Sequence, residues 1–335
     1  MFKRIIGAAV VVAAVIPFAV FAQEATPEAT PIELPAVDPL DVTGDLILAG
    51  SSTVYPLAEA VAELFTEEGF SGEITIDSIG TGGGFERFCT TGETDISNAS
   101  RPINDGEAEA CAAIGRTPLE FRVGTDALAV VVSAENDWLE SLTLAQLSDI
   151  FTGAVTTWDQ VDPSYPAQPI QLFSPGSDSG TFDYFIEEVI ENEDGGNLGD
   201  DAEAAILNAP GIQFSEDDNV LVQGVEGSPY AIGYFGYAYY EENADLLNTV
   251  AIDAGDGPIV PTAETAEDNS YPLSRPLFIY SATEVIAENP QVGEFINFFL
   301  TRVNDVIIDV GYFPASVEAL NGARQNLLDA MMMGM

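Results

Sequence analysis

Histidine is absent from the chain, and lysine occurs once, at Lys3. Without histidine there is no Ser-His-Asp or Cys-His machinery and no HExxH zinc site. Without a lysine in the body of the chain, neither a P-loop nor a pyridoxal Schiff base is available. Cations are scarce altogether, with 9 Lys and Arg against 55 Asp and Glu and a net charge of −46. Nucleic acid and anionic membrane are therefore disfavoured partners on electrostatic grounds. No D-x-[DN]-x-[DN]-G loop accompanies the acids, so a calcium-loaded surface has no motif behind it. The acidity itself fits a surface kept soluble at high salt or low pH. With 55 acids, chance carboxylate pairs are inevitable and carry no catalytic meaning. No apolar run beyond residue 22 reaches the length of a membrane span.

Cysteine is nearly missing too: Cys89 and Cys111 are the only two. The chain begins with the basic Met1-Phe2-Lys3-Arg4, followed by the uncharged, apolar stretch from Ile5 to Ala22. That is the layout of a secretory signal (residues 1–22) cut near Ala22, although the stretch is also long enough to remain as an uncleaved anchor. No cysteine near the cleavage point permits a lipid anchor. Export into an oxidising compartment makes Cys89 and Cys111 a disulfide pair rather than two buried thiols. Removal of the signal leaves 7 arginines against 55 acids, a net charge of −48.

Residues 23–43 carry TPEATP and LPAVDPL with no apolar periodicity, the composition of an extended, Pro-rich, disordered linker. From residue 44 onward strands and helices alternate, the sign of a parallel α/β arrangement. Strands are expected at residues 45–50, 73–78 and 94–99, with helices opening at Pro56, over 85–89 and over 104–113. Residues 121–133 read as a crossing strand with a polar break at Gly124-Thr125-Asp126. Helices follow at 142–151, from 182, at 201–207, and at 218–225 under a Ser215 cap. Trp158 closes a turn-rich segment, and strands fall at 169–173 and 230–235. Residues 272–281 form a second crossing around Arg275. Helices through Val292–Val303 and over 315–330 end the chain, with the Met-rich tail fraying.

Three segments repeat one design, in which a strand meets a small-residue turn and then a helix. They are Gly50-Ser51-Ser52-Thr53, Gly80-Thr81-Gly82-Gly83-Gly84 and Ser177-Asp178-Ser179-Gly180-Thr181. Each offers first-turn N–H groups and hydroxyls at the positive end of a helix, chemistry suited to a small oxyanion. Any one of them is an ordinary helix cap; three in one chain are more specific. In open parallel sheets such turns lie at the carboxyl ends of strands, where ligands bind. Arg101, after the strand TDISNA, is one of only seven cations beyond residue 22.

In order along the chain, GSSTVYP, GTGGGFERFC, GETDISNASRPI and GSDSGTF resemble the substrate-binding proteins of phosphate ABC importers, the PstS-like branch of the periplasmic binding proteins. FTGAVTTW and YPLSRPLFIY extend the resemblance from about Leu46 to Val303. It implies an α/β fold of periplasmic-binding-protein type II. One lobe comprises residues 44–123 plus 276–335, the other residues 124–275, and two crossings join them. It further implies capture of inorganic phosphate between the lobes and delivery to a membrane permease, by an exported, monomeric protein without cofactor or catalysis. The ligand donors fall on Ser52, Thr53, Thr81, Gly82, Ser179, Gly180 and Thr181. The better-known members have an aspartate where this chain has Arg101, and an arginine where it has Pro175. Arg101 is accordingly the expected guanidinium for phosphate, as in the SRPI-bearing branch, with a hinge or salt-bridge role as the alternative. Asp178 is the expected acceptor for the proton that hydrogen phosphate keeps and sulfate lacks, a device for rejecting sulfate, with orientation of Arg101 or a plain helix cap as the alternatives. Other readings are a binder of arsenate, sulfate or molybdate, a surface sensor or adhesin, or a phosphatase-like enzyme whose Ser52 or Ser179 lacks an evident base.

Overall fold

Short strands rich in Ile, Leu and Ala open the folded chain, each feeding a helix: β1 (Leu46–Gly50), α1 (Tyr55–Glu67), β2 (Ile74–Ser78), α2 (Gly80–Glu86), β3 (Ile96–Ala99) and α3 (Asp105–Ala113). The computed structural model describes residues 30–177, 179–192 and 194–333. The expected signal over residues 1–22, the acceptor Asp178 and the last two residues of the tail lie outside them. A 16-residue strand, β4 (Pro118–Ser133), leads to β5 (Ser141–Thr143), α4 (Leu144–Phe151), α5 (Trp158–Val161), β6 (Gln171–Ser174), α6 (Gly180–Phe185) and α7 (Ala202–Leu207). Then come β7 (Gln213–Phe214), α8 (Asp218–Glu226), β8 (Ala231–Gly236), α9 (Tyr237–Glu242), β9 (Leu247–Thr249), β10 (Ala251–Asp253), β11 (Pro258–Ile259) and α10 (Ala263–Glu267). The chain returns through β12 (Ser274–Ala282) to α11 (Thr283–Glu288), α12 (Pro290–Val306), β13 (Phe313–Pro314) and α13 (Val317–Met333).

The main sheet runs β2-β1-β3-β12-β4-β8-β6-β7, with β9 and β13 also pairing β4. β1 is parallel to β2 and β3, and β6 is parallel to β7 and β8. The antiparallel pair β4–β12 joins these two parallel sections. This is a mixed α/β fold with a curled sheet. One hydrophobic core gathers β1, β3, α1, α12 and α13, centred on Phe65, which packs on Phe70, Phe295 and Phe298 at ring separations of 4.7, 5.3 and 4.8 Å. Burying each such ring contributes roughly 1.5–3 kcal/mol. A second core lies on one face of the β4–β8–β6 section around Phe151, Phe185 and Tyr234, and a third lies around Val131, Leu221 and Phe235.

Several local expectations change. The Gly124-Thr125-Asp126 break does not interrupt β4, because each polar side chain finds a partner: Thr125 Oγ1 donates to Glu267 at 2.8 Å, and Asp126 accepts from Arg275 Nε at 3.1 Å. The second helix starts at Gly80, inside the glycine turn, and widens after Glu86 into the turn Arg87–Thr91. Leu142 belongs to β5, and α4 begins only after the Thr143 cap, whose hydroxyl accepts from Gln146 N at 3.1 Å. Trp158 opens α5 rather than closing a turn. The cap of α8 is Asp217, which accepts from Asn219 N, while Ser215 accepts from the N–H of Asp217.

The described part of the expected linker has no strand or α-helix, only a single 3-10 turn at Pro39–Asp41, yet it is docked and not disordered. Leu34 and Val37 pack on the first core, Pro35 O accepts from Asn297, and Ile32 O accepts from Arg324. Apolar residues spaced along such a segment can be held by helix side chains without any periodicity of their own. The Cys89–Cys111 disulfide is present and ties the turn after α2 to α3.

Candidate anion-binding cleft

All three small-residue turns meet at the carboxyl end of β1. Gly50 ends that strand at φ +146°, and a Cβ there would stand 2.1 Å from Asn98 O. Glycine is required for that approach, which lets Ser51 N donate to Asn98 O at 2.9 Å. Ser51 and Thr53 are buried, Ser52 is half-buried, and Thr53 O accepts from the buried Tyr312 hydroxyl at 2.8 Å. The glycine turn is laid against the same strand end: Ile79 N donates to Gly50 O, and a Cβ on Gly84 would come within 2.5 Å of Gly50 Cα. Those contacts require glycine at position 84, and a φ of +77° favours it at Gly80, which offsets part of the cost of glycine in a helix. Thr81 Oγ1 accepts from Ser100 N at 3.2 Å and lies 3.1 Å from Ser100 Oγ, while Gly82 is exposed.

The third turn comes from the far section of the sheet. Ser179 caps α6, its hydroxyl accepting from Thr181 N at 3.2 Å. A Cβ on Gly180 would lie 3.8 Å from Thr53 Cα and 3.9 Å from Ser52 O. The turn after β6 thus faces the turn after β1, with space for about one carbon between Gly180 and Thr53. Ser52, Thr53, Gly180 and the flanking Ser179 and Thr181 are brought together; Thr81 lies against Ser100 on the wall that packs on Gly50, and Gly82 is exposed beside Phe85, Asn104 and Glu107. The arrangement offers hydroxyls and backbone N–H groups to something small.

Arg101 stands at the edge of this wall, its side chain 43% exposed. Its Nη groups donate to Glu107 at 2.9 and 2.8 Å and to Pro102 O at 3.1 Å, and its guanidinium lies 5.6 Å from the Phe85 ring centre. The Glu107 hydrogen bonds raise Arg101 further above its already high range. Burial works against the Glu107 carboxylate, but Arg101 and the Asn104 N–H hold it below the usual value.

Two buried polar side chains near the turns were not singled out by the motifs. Asn98, on β3, has neither side-chain atom hydrogen-bonded among the described residues. Arg275, on β12, pairs with Asp126 and Glu187 while its Nη2 is buried without a partner among them. A signal existed for both: a polar residue on a strand whose neighbours are otherwise core. Burial pushes the Asp126 carboxyl up against the pull of Arg275; burial likewise opposes the Arg275 charge, which Asp126 nonetheless holds above its ordinary value. No group of three or more metal-ligating side chains occurs among the described residues.

A family model for the PBP superfamily domain matches residues 29–303, spanning all three turns and both long antiparallel strands. The chain belongs to the PBP superfamily. Its relatives within that superfamily include Protein SphX of a Synechocystis species, 43% identical over 291 residues, covering 85% of this chain and 83% of that one. The phosphate-binding protein PstS of Staphylococcus epidermidis is 36% identical over 293 residues, covering 87% and 85%. Among solved structures, a possible phosphate binding protein from Planctomyces limnophilus superposes with a TM-score of 0.78 at 39% identity, covering 87% of this chain and all of that one. This PBP chain is therefore similar over most of its length to proteins named for phosphate.

Proposed function

We propose that this PBP protein captures inorganic phosphate between two lobes, residues 44–123 plus 276–335 and residues 124–275, and delivers it to an ABC permease. The contact of Gly180 with Ser52 and Thr53 carries the reading, because it sets two donor-rich turns from distant sequence face to face. Phosphate would be held by Ser52, Thr53, Thr81, Gly82, Ser179, Gly180 and Thr181, mostly neutral dipoles that act locally where a diffuse field of −46 is adverse. Arg101 belongs to the rim of that site, its charge matched by Glu107. Asp178 remains the proposed acceptor for the phosphate proton. A chain without histidine offers no evident base for Ser52 or Ser179, which supports binding without catalysis. The basic-then-apolar start supports export to the periplasm or cell exterior, and the protein is proposed to act as a monomer.

Isothermal titration tests this directly. Phosphate is expected to give a saturable 1:1 heat at neutral pH, with sulfate much weaker. Thr81→Ala, which removes a half-buried hydroxyl, is expected to weaken phosphate by roughly 10-fold or more, the scale of one hydrogen bond to a charged ligand. A protein that takes up sulfate but not phosphate would replace this reading with that of another oxyanion. No heat with either would overturn it.

A further inference from the structure

The seven arginines of the folded chain are engaged in different ways. Arg116 gives its guanidinium to the carbonyls of Phe88, Gly92 and Thr94, and Arg324 gives its own to those of Ile32 and Leu300. Arg87, Arg101, Arg122 and Arg302 pair with partly exposed carboxylates. Arg275 differs from all of these. It is only 9% exposed, its Nε donates to the buried Asp126 at 3.1 Å, and its Nη1 donates to Glu187 at 3.3 Å. Its Nη2 is buried and has no hydrogen-bond partner among the described residues. A buried, charged donor left in that condition is costly, and folded chains rarely tolerate one without a use.

The surroundings of Arg275 tie it to the cleft. Its guanidinium carbon sits 3.6 Å from the centre of the Tyr184 ring, one helical turn beyond Gly180 on α6. It also acts electrostatically on Tyr312, the residue whose hydroxyl holds Thr53 O. Arg275 and Asp126 face each other in register on β12 and β4, the two strands that join the two sections of the sheet. The guanidinium is therefore fixed on two of its three nitrogens and stacked on a ring, next to elements that form both facing turns.

We infer that Arg275, rather than Arg101, supplies the guanidinium that hydrogen-bonds the bound anion, through Nη2, with Asp126 and Glu187 holding the fork in place. The inference rests on the phosphate reading and names the charged donor within it. Two carboxylates around one guanidinium leave no net positive field, so the attraction comes from a short charge-assisted hydrogen bond at a buried site. The planar fork is essential, because a lysine ammonium can answer Asp126 but has no second nitrogen to offer the ligand.

The test compares Arg275→Lys with Arg101→Ala. Arg275→Lys keeps a cation opposite Asp126, so the fold is expected to survive, as the thermal melt without ligand will show. Phosphate affinity by isothermal titration is expected to fall by roughly 30-fold or more in Arg275→Lys and by less than about 3-fold in Arg101→Ala. Guanidinium ¹⁵N NMR of the unsubstituted protein reads the same contact without relying on a folded variant. Phosphate is expected to shift one Nη signal, assigned by its loss in Arg275→Lys or by its ring-current change in Tyr184→Leu. Wild-type affinity in Arg275→Lys, or an unmoved Arg275 signal in a protein that does bind phosphate, overturns this inference alone. A wild-type protein that binds no phosphate overturns the phosphate reading and this inference with it.

Discussion

Asp218 occupies the first turn of α8, half-buried beside Asp217 and Glu216. Burial, with those two carboxylates adding to it, pushes its carboxyl from 3.8 up to about 6. The folded chain therefore holds this proton more tightly than the unfolded chain does. The charged form costs the fold its full penalty above pH 6, and the penalty fades as pH falls from 6 toward 3.8. Asp218→Asn is expected to stabilise the protein by about 1–3 kcal/mol near neutrality and by almost nothing near pH ~4. Melts at both values check this, and an equal gain at the two would dismiss Asp218 as the cause. The site shows what single residues reveal in sequence. Ser52, Thr53, Ser179, Gly180 and Thr181 were legible as small polar residues at the starts of helices, where they serve as caps or as anion donors. Arg275 was legible only as part of a crossing, because nothing local to SRPLF says that one of its nitrogens is buried without a partner among the described residues.

At the level of elements, the disulfide is the plainest structural commitment. Cys89 and Cys111 are 22 residues apart and join the turn after α2 to α3, on the flank of the glycine wall. Cross-linking a loop of that length is worth about 3 kcal/mol, mainly by restricting the unfolded chain. Reduction is expected to lower the melting temperature by roughly 5–10 °C. Calorimetry with and without dithiothreitol measures it; no shift would mean that Arg116, which ties the same segment through Phe88 O, Gly92 O and Thr94 O, holds it unaided. Amphipathic helices such as α12 and buried strands such as β3 were readable from spacing. β5 and α8's cap were not: Leu142 suits a strand or a helix equally, and Ser215 and Asp217 are both competent caps until the chain's path chooses. β9, β10, β11 and β13 are two or three residues long, too short for any period to register.

On the scale of the whole molecule the acids dominate. With 55 acidic residues and a net charge of −46, the surface repels itself and repels an incoming anion. Raising ionic strength from about 0.01 M to about 0.5 M shortens the Debye length from ~30 Å to under ~10 Å. Both the melting temperature and the association rate for phosphate are expected to rise over that range. Stopped-flow binding and thermal melts would show it; a rate that falls with salt would mean that a local positive field, not neutral dipoles, guides the anion. The sequence by itself determined the α/β alternation, the exclusion of histidine- and lysine-based chemistry, the three donor turns and the cysteine pair, because each is a property of residue type and near neighbours. Only the tertiary structure decided that the linker docks, that β4 runs unbroken and that Gly180 meets Ser52 and Thr53. It also decided that Arg101 is matched by Glu107 while Arg275 keeps a buried nitrogen without a partner among the described residues. Those outcomes depend on contacts between residues as far apart as Asp126 and Arg275, and separation in sequence carries no trace of distance in space.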